Sequence, residues 1–288
     1  MLGKLFKHEW KSTWKVGGML LLGVVLVSFF GWLSFQAPMW RAIANDSRYT
    51  GFSMWDVVSV GTLFMYVIML VGLNYGILIY MGVHFYRTMY TDEGYLTHTL
   101  PVSKHQILAS KILNSGLWYL LMDLGVILSV FILMFSMVGS FLPEGYTWAE
   151  VWEMIEPEMR YLNEIFRDIF GMGVGGYFGM VLAVSLISPF CTMIILFGAI
   201  SLGQLFTKHR VLMAIVSYVG IMIVANIISS VVQSFFSVNR MMSHTIDDAM
   251  AGSYVNTTMW VSVVLSIAEA VILYFVSYYV TSKKLNME

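Results

Sequence analysis

Six apolar runs, each of about 20 residues or more, constrain this chain more than any other feature. They cover approximately residues 16–35, 57–85, 112–136, 177–205, 211–235 and 259–280. A bilayer core of about 30 Å is crossed by about 20 apolar residues in a helix. Lipid offers no partner to an unpaired backbone group, so each run is expected to be helical. A membrane barrel would show shorter segments of alternating polarity instead. The expected fold is an all-α polytopic membrane protein with six transmembrane helices, built as one transmembrane domain over residues 1–288. Composition agrees. The chain is 58% apolar and 11% charged, where a soluble domain has about 45–50% and about 25%. That balance excludes a disordered chain and a basic nucleic-acid binder. The single cysteine, Cys191, excludes an intrachain disulfide and a four-cysteine metal site. Pro189 is the one proline inside a run, where loss of a backbone bond predicts a kink.

Orientation follows from the flanking lysines and arginines. Lys4, Lys7, Lys11, Lys15, Arg87, Lys104, Lys111, Lys208, Arg210, Lys283 and Lys284 fall on one side, and five arginines on the other. The first side is therefore expected to be cytoplasmic, with both termini on it. Eleven of the 17 acids fall in the opposite loops. The first run is longer than a signal-peptide core, and no small-x-small cleavage site follows it.

Two amphipathic segments flank the spans. Leu5, Phe6, Trp10 and Trp14 alternate with four lysines, which predicts an interfacial helix over residues 1–15. The outer segment, residues 139–170, begins with a capping-box pair, Thr147 and Glu150. Val151, Trp152 and Ile155 follow at helical spacing. Pro157 is expected to start a second helix, with Met159, Leu162, Ile165, Phe166 and Ile169 on one face. Together they predict an acidic, amphipathic outer cap.

Several motifs fail on context. Gly171, Gly173 and Gly176 match a nucleotide fingerprint but open a membrane helix rather than follow a strand. Gly171, Gly175 and Gly179, and likewise Gly72 and Gly76, read instead as small-residue packing faces. There is no phosphate-binding P-loop and no zinc-protease H-E-x-x-H. Ser12 and Lys15 match a Ser/Lys dyad by spacing alone, as any basic flank does. No catalytic residue and no metal site is expected.

Two ionisable residues lie deep in the spans, Asp123 in the third and Glu269 in the sixth, with Asn74 and Asn226 as neutral companions. A charge at the bilayer centre costs roughly 2.5–3.5 kcal/mol on insertion scales. No lysine or arginine lies in a span core to neutralise it. Three readings stay open for these acids: a protonated carboxyl bonded between helices, the lining of a substrate or cation path, or a proton relay.

The segment 86–111 is the most informative. A short helix is expected over 91–99, ended before Pro101, with Ser103 capping the next helix. Tyr95, Leu96, Leu100 and Val102 make it apolar enough to dock onto something. Glu93-Gly94-Tyr95-Leu96, then Leu100-Pro101-Val102-Ser103-Lys104, then Ser110-Lys111, resemble the inner loop of small bacterial ATP-binding cassette (ABC) transporter permeases of the six-span, type-2 exporter family. The likeness covers the whole chain as topology and about 20 residues as motif. It implies a multi-pass protein of the bacterial cytoplasmic membrane. It also implies two permeases, identical or different, working with two separate ATPase subunits that carry ATP and magnesium. Residues 92–101 would then form the docking segment, comprising Asp92, Glu93, Gly94, Tyr95, Leu96, Leu100 and Pro101, with Glu93 and Tyr95 at its surface. One departure is plain. The loop over 237–257 is polar, where family members often place re-entrant helices, so no outer gate is carried over.

The expected function is that of a membrane-spanning exporter subunit, with ATP hydrolysis on a partner chain. Its cargo would be hydrophobic or amphipathic, cationic and peptide-like, as in antimicrobial-peptide resistance. Acidic outer residues and two intramembrane acids suit a cation. Two alternatives differ in kind. A membrane sensor or immunity subunit would bind a peptide at its outer face. A membrane enzyme would need paired reactive residues.

Overall fold

The structure, a computed structural model, describes residues 2–44, 53–99, 101–141, 148–206, 208–241 and 248–283. It is all-helical over these residues: α1 (Leu2–Ser34), α2 (Pro38–Ala44), α3 (Met54–Tyr90), α4 (Asp92–Thr99), α5 (Lys104–Phe141), α6 (Trp148–Phe170), α7 (Val174–Gly203), α8 (Arg210–Met241) and α9 (Asp248–Lys283). Six of them, α1, α3, α5, α7, α8 and α9, are long and apolar enough to cross a membrane. The chain is thus a multi-pass membrane protein by length and composition. Large apolar side chains cover its outside; Met19 is 77% and Phe64 70% exposed. Such a surface suits lipid and not water.

The basic amino end is not a separate helix, as the sequence suggested. It is the first part of α1, which runs unbroken for 33 residues, about 50 Å. That exceeds a 30 Å hydrocarbon core by about 13 residues, the length of the lysine-bearing stretch. Thr13 and Gly17 are buried while Lys4, Lys7, Lys11 and Lys15 stay exposed, so the polarity is set by one inward face.

The chain divides into two compact units. One comprises Trp10–Tyr80 and Trp118–Glu156. It packs the body of α1 against α3 and α5 through glycines. A Cβ on Gly17 would stand 2.5 Å from the Trp118 ring, and one on Gly31 would stand 2.8 Å from Tyr66. Trp118 stacks on Trp10 at 4.6 Å and donates its indole N–H to Thr13 Oγ1 at 3.0 Å. A hydroxyl chain joins Tyr66, Ser129 and Ser28, with contacts of 2.8 and 2.7 Å. Ser53 and Asp56 cap α3 reciprocally. Asp56 Oδ2 accepts the Ser53 N–H at 2.8 Å, and Ser53 Oγ accepts the Asp56 N–H at 3.3 Å.

The other unit comprises Met1–Glu9, Met81–Leu117 and Pro157–Glu288. Its core is the second half of α7, where Met193, Phe197 and Ala199 are fully buried. Phe85 stacks on Phe197 at 3.9 Å. Gly198 meets Leu273, and Gly203 meets the Ala214 backbone, each closer than a Cβ would allow. Tyr90 Oη lies 2.7 Å from Ser201 Oγ, and His105 stacks on Tyr278 at 3.8 Å.

Three sequence expectations need correction. Pro157 does not start a second helix: α6 continues through it for 23 residues. A proline removes one backbone bond, and a long helix survives that loss. Thr147, its expected cap, lies outside the described residues. The predicted packing glycines are open. No neighbouring atom lies within 4 Å of a Cβ built on Gly72, Gly175 or Gly179, and Gly76 meets only Leu20 at 3.8 Å. Gly171 instead ends α6 with φ +72°, the left-handed conformation that glycine adopts at helix stops. Spacing finds a small-residue stripe but not the helix that faces it. Finally, the polar stretch 237–257 is in large part helical, since α8 extends to Met241 and α9 begins at Asp248. At Pro189 the helix α7 is unbroken.

Candidate functional site

The expected docking helix forms as α4, Asp92–Thr99. It starts one residue after α3 ends, and Gly94 explains how so tight a reversal fits. A Cβ there would stand 2.6 Å from the Met89 carbonyl oxygen, so only glycine lets α4 fold back on α3. The Gly94 N–H donates to Thr91 O at 2.7 Å, and Thr97 Oγ1 donates to Thr88 O at 3.2 Å. Asp92, Glu93 and Tyr95 are exposed. Arg87 and Glu93 approach to 3.9 Å with both side chains mostly in the open, a pair of little energetic weight. Pro101 is exposed. Leu100, like the side chain of Leu96, lies outside the described residues. Ser103 caps α5 as expected: its Oγ accepts the Gln106 N–H at 3.4 Å.

Behind α4 lies a cluster that the sequence reading missed. Lys111 Nζ donates to Glu9 Oε1 at 2.6 Å and to Thr88 Oγ1 at 2.7 Å. His84 Nε2 lies 3.0 Å from Glu9 Oε2. The Lys111 side chain is 3% exposed and those of Glu9 and His84 are each 14% exposed. One carboxylate thus bridges a lysine and a histidine, uniting the start of α1, the end of α3 and the start of α5. Thr88 joins the cluster to α4, because its hydroxyl meets Lys111 while its carbonyl accepts from Thr97. The sequence grouped Lys111 with the loop cations. In the structure it belongs to the second turn of α5. The signal available was Glu9 itself, the one acid among four lysines.

The intramembrane polar residues separate into three situations. Asp123 is held. Asn74 Nδ2 donates to its Oδ1 at 2.8 Å, and Tyr119 Oη donates to Asn74 Oδ1 at 3.1 Å. Asn226 turns back on its own helix, donating to Met222 O at 2.7 Å on an exposed face of α8. Glu269 is neither held nor folded back: its Oε1 is buried without a hydrogen-bond partner among the described residues. It lines a cleft of about 460 Å³ with Ser217, Gly220, Val224 and Ile228 of α8 and Leu265 of α9. Of the four residues grouped by sequence, the structure therefore joins Asn74 to Asp123, while Glu269 and Asn226 belong to the other compact unit.

Among the described residues, no group of three or more histidine, cysteine, aspartate or glutamate side chains is placed to hold a metal ion. Glu9, His84 and Lys111 satisfy one another, an arrangement suited to fixing helices in place. The chain matches no protein-family model, no curated protein and no solved structure.

Proposed function

We propose that this chain is the permease subunit of an ATP-driven exporter in a bacterial cytoplasmic membrane. In this reading α4 lies on the cytoplasmic side and a separate ATPase subunit docks on Asp92, Glu93 and Tyr95. A second permease, identical or different, completes the pore, and ATP with magnesium stays on the ATPases. The observation that carries the reading is the mechanical continuity of α4. Thr97, Thr88, Lys111 and Glu9 form an unbroken series of polar contacts from α4 to α1, α3 and α5. A displacement of α4 by a docked partner is thereby delivered to three helix ends at once. Buried ion pairs resist separation, since parting them leaves an uncompensated charge. Asp92, Glu93 and Tyr95 are exposed and so accessible to a partner. The substrate class that fits is a hydrophobic or amphipathic cation.

The test is purification of the tagged protein from its native host in mild detergent, followed by assay of ATP turnover. A co-purifying ATPase that is released by Tyr95→Ala with Glu93→Ala is the expected result. A protein that emerges alone, or an ATPase indifferent to both substitutions, refutes the docking role of α4. Peptide binding by the solitary protein would then favour a sensor.

A further inference from the structure

We propose that the cleft between α8 and α9 is a binding site for a single hydrophobic monovalent cation drawn from the bilayer, with Glu269 as its counter-charge. As the cargo site of the exporter this rests on the preceding reading, whereas binding itself is a property of this chain alone.

The cleft holds about 460 Å³, within the usual range for small organic ligands. Its walls are aliphatic: Val224, Ile228, Leu265 and Ile272. Its polar groups are one carboxyl and the Ser217 hydroxyl. That inventory decides the ligand class. A calcium or magnesium ion takes six or more oxygen ligands, and the cleft offers too few. A neutral apolar molecule would fill the walls and leave Glu269 Oε1 without the partner that it lacks. A monocation with an apolar body satisfies both the walls and the carboxylate. A second copy of the chain would not supply the charge from its spans, because no lysine or arginine lies in a span core. Two clefts of similar size lack the carboxyl. The one between α1 and α5 holds about 400 Å³ and is lined by Trp32, Gln36 and Ser136. The one between α7 and α9 holds about 420 Å³ and is lined by Cys191, Ser262 and Ser266. They share size and apolar character with the α8–α9 cleft and so serve as internal controls.

The experiment uses the full chain in lipid nanodiscs and two ions of equal shape and opposite charge, tetraphenylphosphonium and tetraphenylborate. Equilibrium dialysis measures the binding of each. Saturable binding of the phosphonium at one site per chain is expected, with only lipid partition of the borate. Glu269→Gln should weaken the phosphonium by roughly thirtyfold or more, the lower end for losing one partner of a buried charge pair. Gly220→Leu keeps the carboxyl and fills the cleft, and should also abolish saturable binding. Asp123→Asn should leave binding unchanged. Each variant is first shown to be monodisperse and to melt cooperatively. Equal saturable binding of both ions, undiminished affinity in Glu269→Gln or in Gly220→Leu, loss of binding in Asp123→Asn, or no saturable phosphonium binding overturns the proposal. If the cation binds as expected but no ATPase co-purifies, the site stands and the exporter reading falls. If an ATPase docks and no cation binds, the reverse holds.

Discussion

Asp123 and Glu269 are equivalent as text and different as chemistry. Each is an acid near the middle of an apolar run, without a basic residue in its own span. Asp123 sits at the end of an ordered series in which Tyr119 fixes Asn74 and Asn74 donates to the carboxyl. Glu269 faces an aliphatic cleft with one buried oxygen lacking a hydrogen-bond partner. Glu9 completes the scale, with both oxygens engaged by cationic or titratable partners. In the reading proposed here, the fully partnered acid holds structure together, and the acid with an unmet oxygen keeps a place for a ligand. The cost of burying an unmet polar group is of order 1–3 kcal/mol or more, large enough that such an oxygen calls for an explanation.

This contrast can be broken by substitution, and the largest effect is expected where partnering is most complete. Lys111→Ala should destabilise the protein by about 3–5 kcal/mol, because it strands the Glu9 carboxylate in a buried site. Thermal unfolding in detergent measures it. The double variant Glu9→Gln with Lys111→Met should recover much of that loss, and a double variant no better than Lys111→Ala would show that the pair is not coupled.

Asn74→Leu comes next, at about 1–3 kcal/mol, since it removes the donor to Asp123 without removing the carboxyl. If Asn74→Leu and Asp123→Asn together cost no less than their sum, the hydrogen bond between them carries no stability.

Glu269→Leu inverts the sign. The unmet Oε1 and a costly intramembrane carboxyl disappear together, so stability should hold or rise by about 1 kcal/mol. A loss comparable to that of Asn74→Leu would place Glu269 in the structural class and erase the contrast.

Tyr95→Ala should be the mildest for folding, within about 0.5 kcal/mol, because the side chain is 61% exposed. Its effect should appear only in release of a docked ATPase. Concurrent unfolding would instead make α4 part of the core.

The helix α4 shows how much of the site was legible. A short helix over 91–99 that ends before Pro101 was expected from residues adjacent in the chain, as was the cap that Ser103 provides for α5. Its anchorage was not legible. Glu9 lies 102 residues from Lys111 in the chain, and no local pattern relates them. Gly94 carries a similar lesson. It read as part of a docking motif, and the structure gives its physical reason in the Met89 carbonyl. The glycines at 72, 175 and 179 had the better-known spacing and nothing to meet.

The sequence by itself determined the six apolar helices and the all-α fold. Both depend on a one-dimensional quantity, the length of apolar chain set against the thickness of a bilayer, with every backbone bond satisfied inside its own helix. It also determined the short helix between the second and third spans, through residues adjacent in the chain. Only the tertiary structure decided which acids are partnered, which glycines are crowded, and whether Lys111 belongs to a loop or to a buried ion cluster. Those outcomes depend on which face of one helix meets which face of another, and residues distant in the chain determine that jointly.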